Sequence, residues 1–456
     1  MPRSTFSSAI DAPVDALFDW HARPGAFDRL TPTWESVRVV SRTPGLDAGT
    51  RLHLQLAMGP LKLDWVAVHT ACERPGGFVD EAERSPFASW RHDHAFTADG
   101  DGSRLVDTID WRVPFGPLGA LFGNPIARRR IERMFHQRHA RTRHDLMRHA
   151  LTREHGPLTV AISGASGLIG SALTAFLSAG GHTVRRLVRR TVKGADEIYW
   201  SPRDGVLDPA DLAGVDAVVH LAGAGIADAR WSNERRRILW DSRVNGTTLL
   251  ANTLAAMDDP PKVLLSTSAV GFYGDTGDRR VDETSARGDG FLAELCEAWE
   301  SAADPARDAG LRVVHPRFGV VLSARGGALA KMLPAFRMGG GGRLGSGRQA
   351  MPWVALDDLL GALLTLLYDT QYEGPVNITA PEIVDNATFT RTLGRVLRRP
   401  TIVPVPAVAL RTLFGEMADE ALLAGQWAEP RRLLDGGFTF TYPDLESALR
   451  FELGRT

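Results

Sequence analysis

Two patterns of apolar and polar positions divide this chain about one third of the way along. In the first part, apolar and polar residues alternate over 61–67 and 105–112, which is typical of antiparallel strands with one buried face. Apolar residues at helical spacing stand before these strands at 14–18 and after them from about Pro125. We predict an α+β domain over residues 1–152 whose antiparallel sheet packs around a long C-terminal helix and encloses a cavity.

From Pro157 onwards, short apolar runs alternate with segments of helical period. The run 158–162 leads directly into a glycine-rich turn and a helix, and a second apolar strand follows at 182–188. Buried strands separated by helices are typical of a parallel sheet covered on both faces. We predict a Rossmann-type, doubly wound α/β domain over residues 157–456.

The composition fits two ordinary globular domains. The chain has 456 residues, about three times the ~150 of one domain, and its 44% hydrophobic and 23% charged residues exclude a disordered protein. A net charge of -1 gives no general attraction to nucleic acid. The arginines of the long helix lack interleaved aromatic residues, so we interpret them as a solvated face and predict no nucleic-acid partner.

Cysteine and histidine positions predict no metal centre. Cys72 and Cys296 stand far apart, without the spacing of a zinc site, which favours a reducing compartment. His92 and His94 share one face of a predicted strand, but the sequence identifies no third ligand. Because no signal-peptide core and no apolar run of about 18 residues occur, we predict a cytoplasmic protein without a membrane span.

A glycine-rich turn over residues 163–170 carries the most specific chemical signal in the chain. Gly164 permits the tight turn, Gly167 lets the backbone approach a diphosphate, and Gly170 allows the helix to pack closely on the strand. Amides at the helix N-terminus would bind the diphosphate. The predicted phosphate-binding residues are Gly164, Ala165, Ser166, Gly167, Leu168, Ile169 and Gly170.

The end of the second strand predicts which dinucleotide binds. An NAD site usually has a carboxylate there for the ribose 2′-hydroxyl, whereas this chain has Arg189 and Arg190. Guanidinium groups pair with a 2′-phosphate, so NADP(H) is preferred and NAD(H) is the alternative. The arginines could instead point to solvent.

These motifs resemble the extended short-chain dehydrogenase/reductase superfamily, of the NAD(P)-dependent epimerase/dehydratase type. The segments 216–223, 264–274, 315–322 and 352–358 match that superfamily in order. The resemblance implies a turn beside the cofactor, a serine-bearing strand and a segment flanking the nicotinamide. The further cofactor-binding residues that it implies are Leu221, Ala222, Gly223 and Pro316.

A subgroup called "epimerase family" oxidoreductases is still more similar, through residues 268–271, 291–294, 374–377 and 442–445. This likeness implies a small C-terminal substrate lobe, mainly 374–456. Some members carry a START-like domain in front. Residues 3–150 resemble this START-like, polyketide-cyclase-like (SRPBCC) helix-grip superfamily, which implies an apolar ligand; a closed core is the alternative.

The catalytic pair of the superfamily, Tyr-x-x-x-Lys, is missing. Phe291 and Leu295 stand at the corresponding positions, and neither side chain can transfer or polarise a proton. Ser268 and Tyr273 are the candidate replacements for binding and protonating a substrate oxygen. Alternatives are a carboxylate base at 275, 294 or 297, or no hydride transfer at all.

The resulting prediction is an NADP(H)-binding oxidoreductase or epimerase-like enzyme acting on an unidentified small molecule. A non-catalytic, NADP(H)-responsive sensor or ligand carrier is the alternative, because the Tyr/Lys pair is absent. Arg343 and Arg348, in a glycine-rich loop, are candidates for holding an anionic substrate group, with solvated arginines as the alternative. Superfamily precedent suggests a homodimer.

Overall fold

A computed structural model describes residues 1–59 and 61–455, so the predicted limit at residue 456 lies outside the described residues. The chain divides into two compact units. One comprises Met1–Gly156 with Ala175–Gly181 and the residues from Leu453. The other comprises Pro157–Thr174 and His182–Glu452.

The N-terminal unit contains a seven-stranded antiparallel sheet in the order β1-β7-β6-β5-β4-β3-β2, which confirms the predicted antiparallel sheet. Its strands are β1 (Arg3–Ile10), β2 (Val37–Arg42), β3 (Arg51–Met58), β4 (Leu61–Glu73), β5 (Gly77–Arg84), β6 (Ser89–Asp99) and β7 (Gly102–Arg112). Its helices are α1 (Val14–Ala22), α2 (Ala26–Leu30) and α3 (Gly116–Ala150).

Helix α3 differs from the prediction at its start and on its surface. It begins at Gly116 rather than near Pro125, because a proline in the first turn favours helix initiation. Arg141 and Arg148 are buried, so the arginines of α3 do not form one solvated face. A buried guanidinium needs partners that only the packed structure provides.

The second unit contains a parallel sheet in the order β10-β9-β8-β11-β12-β15, with β19 paired to the outer edge of β15. The predicted parallel Rossmann-type sheet is thereby confirmed. From β8 the chain adds successive strands first on one side (β9, β10) and then on the other (β11, β12), so the strand order reverses between β8 and β11. In parallel sheets, ligands bind in the crevice at the carboxyl ends of the strands at such a point. The strands of this unit's main sheet are β8 (Thr159–Ser163), β9 (Thr183–Val188), β10 (Glu197–Tyr199), β11 (Ala217–His220), β12 (Val263–Ser266), β13 (Ser268–Ala269), β15 (Arg312–Phe318) and β19 (Gly374–Ile378).

Helices cover this sheet, and short strand pairs build the C-terminal part. The short strands are β14 (Arg280–Val281), β16 (Val320–Leu322), β17 (Ala350–Met351), β18 (Trp353–Ala355), β20 (Val384–Asp385) and β21 (Trp427–Ala428). The helices are α4 (Leu168–Gly180), α5 (Asn233–Ala255), α6 (Phe291–Ser301), α7 (Asp304–Asp308), α8 (Gly327–Arg337), α9 (Leu356–Tyr368), α10 (Asn386–Leu397), α11 (Ala407–Phe414), α12 (Arg431–Asp435) and α13 (Leu445–Leu453). Among the residues that the structure describes, no helix combines the length and apolar character needed to cross a membrane.

Candidate functional site

The glycine-rich turn joins β8 to α4 at the carboxyl edge of the parallel sheet. Gly164 has a φ of +69°, and a Cβ there would lie 2.9 Å from the backbone of Leu221 and Ala222. The Ser163 hydroxyl accepts hydrogen bonds from the amides of Leu221 (3.1 Å) and Ala222 (3.2 Å). The turn after β8 and the turn after β11 are therefore held together at the place where the cofactor is predicted.

Gly167 and Gly170 have different surroundings. A Cβ at Gly170 would lie 2.2 Å from the Gly164 carbonyl oxygen, so this position requires glycine for packing. Gly167 is exposed, and a Cβ there would meet only that same oxygen, at 3.2 Å. Gly167 immediately precedes α4, and the first amides of a helix lack intrahelical acceptors. This open cradle fits a diphosphate.

The two arginines after β9 are placed differently. Arg190 donates two hydrogen bonds to the buried Glu197 carboxylate of β10, at 2.8 and 2.6 Å. Hydrogen bonding from Arg190 holds the pKa of Glu197 down at about 2. Arg189 is exposed and forms no ion pair with any described residue. Of the two, Arg189 is the guanidinium available to an incoming anion.

Helix α6 begins at Phe291, so the two positions that correspond to the missing catalytic pair, Phe291 and Leu295, lie in its first turns. The ring of Phe291 packs edge-on against Trp231 at 5.3 Å, and Leu295 is buried in the same apolar cluster. The Glu420 carboxylate accepts from the amides of Phe291 (3.1 Å) and Leu292 (3.2 Å) and so caps the helix. This surface of α6 has no proton-transferring side chain at either position.

Cys296 of α6 lies near both Ser268 and Arg243 of α5, and the sequence analysis assigned neither Cys296 nor Arg243 to the site. Burial raises the pKa of the Cys296 thiol to about 11, and the nearby Ser268 hydroxyl and Arg243 cation oppose the shift. Burial lowers the pKa of Arg243 to about 10, and no described carboxylate forms an ion pair with it. Arg243 also lies directly under the turn after β11, since a Cβ at Gly223 would be 3.3 Å from its Cζ. The Cys296 thiol is therefore near the Ser268 hydroxyl on the one hand and near the Arg243 cation on the other, and Arg243 itself lies next to the predicted cofactor turn.

Tyr273 is almost fully buried in a polar network. Its hydroxyl donates to Asn377 Oδ1 at 2.8 Å and accepts from Arg317 at 3.0 Å, while Arg317 also binds both oxygens of Glu300. Burial raises the pKa of Tyr273 to about 12 despite these bonds. The role of proton donor stays a prediction, and the observed bonds give this phenol a structural role.

The remaining predicted residues do not converge on Ser268. Glu294 and Glu297 are exposed on α6, so neither is the buried base that the sequence analysis considered. Arg343 and Arg348 are exposed in their loop, and Arg348 approaches Asp278 at 3.9 Å. Pro316 is buried within β15, opposite Val376 of β19.

The N-terminal unit has its own cavity, of about 650 Å³, between the sheet and helices α2 and α3. Most of its wall is apolar, but one part is formed by ionisable side chains. Representative lining residues are Phe27, Leu54, Trp65, Phe87, Trp90 and Met134.

A buried cluster of histidines and aspartates forms one ionisable part of this wall, to which other charged residues such as Arg138 also contribute. Asp80, His92 and His94 line the cavity, and Asp107 lies behind the two imidazoles. Burial opposes ionisation of Asp80, but hydrogen bonds from His92 and His94 outweigh it and hold its pKa below the usual range. Burial likewise opposes the His92 charge, yet Asp107 and Asp80 raise the pKa of His92. The sequence showed the two histidines but not the carboxylates, which come from other strands.

A glycine-rich turn on a parallel, doubly wound sheet is typical of Rossmann-type proteins, and comparison with known proteins places the second unit among the extended short-chain dehydrogenase/reductases. The family model described as "NAD dependent epimerase/dehydratase family" matches residues 160–379. A second family model, "Polyketide cyclase / dehydrase and lipid transport", matches residues 10–137. A third, described as a domain of unknown function, matches residues 405–452. This chain belongs to the epimerase family, with a polyketide-cyclase-like N-terminal domain.

Three relatives illustrate the relationship. Epimerase family protein Mb2239 of Mycobacterium bovis is 49% identical over 296 residues, which cover 65% of this chain and 98% of the relative. The structure of a nucleoside-diphosphate sugar epimerase from Corynebacterium glutamicum has 34% identity and a TM-score of 0.81, covering 99% of this chain and 90% of that one. The structure of human epimerase family protein SDR39U1 with NADPH has 35% identity and a TM-score of 0.60, and the match covers 64% of this chain and 98% of the human one.

Proposed function

We propose that the second unit binds NADP(H) and that the protein is an oxidoreductase or epimerase-like enzyme acting on a small molecule. The observation that carries this proposal is the open cradle at Gly167 together with the unpaired Arg189 near the end of β9. The 35% identical human relative has a structure with NADPH, which supports the same cofactor here.

In this proposal the amides around Gly167 bind the diphosphate, and the backbone of Leu221–Gly223 lies along the cofactor. Arg189 pairs with the 2′-phosphate, and Pro316 flanks the nicotinamide. Bound NADP(H) supplies or accepts a hydride. The cradle has room for the phosphates because no Cβ fills it at Gly167.

The protein's own contribution to proton chemistry would come from Ser268, Cys296 and Arg243. With a pKa of about 11, the Cys296 thiol keeps its proton at neutral pH, so it is a hydrogen-bond donor rather than a nucleophile. Ser268 can orient a substrate oxygen, and the cation of Arg243 can stabilise negative charge that develops nearby. Phe291 shields the site from water instead of transferring a proton.

The finer architecture is also proposed. Residues 1–152 would form a helix-grip domain that binds an apolar ligand in its 650 Å³ cavity, whose size is within the range of small-molecule sites. Residues 374–456 would form the lobe that covers the substrate. An apolar molecule held by the first domain is then the candidate substrate, or its precursor, for the second.

Arg189→Ala is expected to weaken NADPH binding by about 10- to 100-fold and to leave NADH binding unchanged, since a charge-assisted contact is worth about 1.5–3 kcal/mol. The matched variant Arg190→Ala should affect NADPH less, because that guanidinium is already paired with Glu197. Isothermal titration of both cofactors with each variant at one salt concentration measures this difference. An equal loss of NADH and NADPH affinity in Arg189→Ala would refute the 2′-phosphate role.

A deuterium-transfer experiment separates an enzyme from a sensor. NADPH deuterated at nicotinamide C4 is incubated with the protein and a cellular metabolite extract, and products are analysed by mass spectrometry. We expect deuterium to appear in a metabolite, and to disappear from it when Gly167→Val protein is used. Tight NADPH binding without any deuterium transfer would instead establish the sensor or carrier alternative.

A further inference from the structure

Three potential ligand atoms in the N-terminal cavity face one point. Asp80 of β5 lies directly opposite His92 of β6, and His94 is two residues further along the same face. Asp80 Oδ2 is 3.2 Å from His92 Nδ1 and 3.4 Å from His94 Nε2, and all three atoms lie within 4.8 Å of one another. Ligands about 2.1 Å from a shared metal ion are separated by about 3.0–3.4 Å at tetrahedral or octahedral angles. Both separations from Asp80 match this spacing, and the two imidazole nitrogens lie within 4.8 Å of each other, as a metal-binding triad requires after a small adjustment.

The second nitrogen of each imidazole lies close to another carboxylate, and that of His92 makes a hydrogen bond with it, whereas His94 Nδ1 lacks hydrogen-bond geometry. Asp107 Oδ1 is 3.1 Å from His92 Nε2 and 2.8 Å from His94 Nδ1. His139 of α3 is 2.9 Å from the other Asp107 oxygen and contacts the hydroxyl of Ser8 on its far side. Metal-ligating histidines typically donate their remaining N–H to such a carboxylate, which orients the ring and directs its lone pair to the ion.

The position of the triad relative to the cavity determines the type of site. Asp80, His92 and His94 are among the cavity-lining residues, whereas Asp107 and His139 stand behind them. Three protein ligands leave coordination positions free, and here these positions face the cavity. Structural zinc sites use four protein ligands, while sites with three keep a position open for water or substrate.

We propose that Asp80, His92 and His94 bind a divalent first-row transition metal, Zn²⁺ or Fe²⁺, with Asp107 as the outer carboxylate and the open positions directed into the cavity. Imidazole and carboxylate ligands suit both ions. The apolar remainder of the cavity then selects a ligand with a hydrophobic body and an oxygen atom that coordinates the metal. The N-terminal domain is in this view a metal-dependent site rather than a passive binding domain.

Metal content and metal titration of the full-length protein test the proposal. The protein is produced without a metal-affinity tag, stripped with chelator, and titrated anaerobically with Zn²⁺, Fe²⁺ and Co²⁺. We expect one ion per chain, and visible Co²⁺ bands that change when azide is added, because azide occupies an open position. A chain that takes up none of the three ions, or Co²⁺ bands identical to those of the aqueous ion, would overturn the proposal.

Variants separate ligands from neighbouring residues. Asp80→Ala and His94→Ala should lose the bound ion, and Asp107→Asn should weaken binding by about 10- to 100-fold, as outer-shell changes do. His69→Gln is the matched control, since His69 lines the same cavity but contacts Thr50 instead of the triad. Stoichiometric metal in folded Asp80→Ala protein would contradict the assignment. If that variant does not fold, the Co²⁺ spectrum of the wild-type protein decides. These readouts are independent of NADP(H) binding.

Discussion

Gly167→Val is expected to reduce NADPH affinity at least about 100-fold while the protein unfolds at nearly the wild-type temperature. A Cβ at this position meets only the Gly164 carbonyl oxygen, at 3.2 Å, so the fold accommodates the side chain after a small adjustment. The two added methyl groups stand at the residue before α4, next to the amides that are proposed to bind the diphosphate. They occupy the space that the diphosphate needs, and a 100-fold loss corresponds to about 2.7 kcal/mol.

Titration with NADPH and thermal unfolding of the same preparations measure the two parts of this prediction. Sequence alone makes Gly164→Val an equivalent test, but the structure does not. Gly164 has a φ of +69° and no room for a Cβ beside Leu221, so its variant should also lose stability. Gly167→Ala should bind NADPH with intermediate affinity. Unchanged NADPH affinity in Gly167→Val would remove the glycine-rich turn from the proposed cofactor site.

Asp145→Ala is expected to destabilise the N-terminal unit by about 3–5 kcal/mol, because it leaves a buried guanidinium without its carboxylate. Arg29 of α2 donates two hydrogen bonds to Asp145 of α3, at 2.7 and 2.6 Å, and both side chains are less than 4% exposed. Helix α2 contributes Ala26, Phe27 and Leu30 to the cavity wall. Loss of the ion pair should therefore also increase amide hydrogen exchange in helix α2 and the cavity wall.

The measurement is amide hydrogen exchange, followed peptide by peptide across residues 1–156. The control is Asp99→Ala, which removes the partner of Arg104 from a half-exposed pair of similar length, 2.6 Å, and should cost only about 0–1 kcal/mol. Equal losses of stability in the two variants would show that the buried ion pair stabilises the domain no more than the half-exposed pair does.

The same pair predicts a pH dependence. Burial opposes the charge of Asp145, but Arg29 outweighs it and lowers the pKa of Asp145 in the folded state. A lowered folded-state pKa gives stability that is fully present above the unfolded value of about 3.9 and is lost as pH falls towards the folded value. The difference between wild type and Asp145→Ala should therefore shrink below about pH 4. A difference that does not change in that range would contradict this account.

The sequence alone was sufficient wherever function depends on consecutive residues. The strand, turn and helix around Gly164–Gly170 are local, and each glycine has a reason in the backbone geometry of that turn. The apolar character of Phe291 and Leu295 is also visible directly, because the missing catalytic pair would occupy one helix face. Alternating apolar and polar residues in the first part predicted an antiparallel sheet, and apolar runs separated by helical segments in the second part predicted a parallel sheet. Both sheets are present.

Ion pairs between residues that are distant along the chain could not be predicted from the sequence. Arg189 and Arg190 are equivalent in sequence, yet in the structure the Glu197 carboxylate, which the strand register places opposite Arg186, binds Arg190 and not Arg189. Arg243 and Cys296 come from different helices and carry no motif, so their meeting beside Ser268 required the packed structure.

The sequence by itself therefore determined the two kinds of sheet and the glycine-rich turn, because periodicity and turn chemistry act over a few neighbouring residues. Only the tertiary structure decided which charged groups are paired and which are free. His92 and His94 show this most clearly, since strand pairing places Asp80 opposite them and Asp107 behind them. The free energy of a buried charge depends on neighbours that are close in space and distant along the chain.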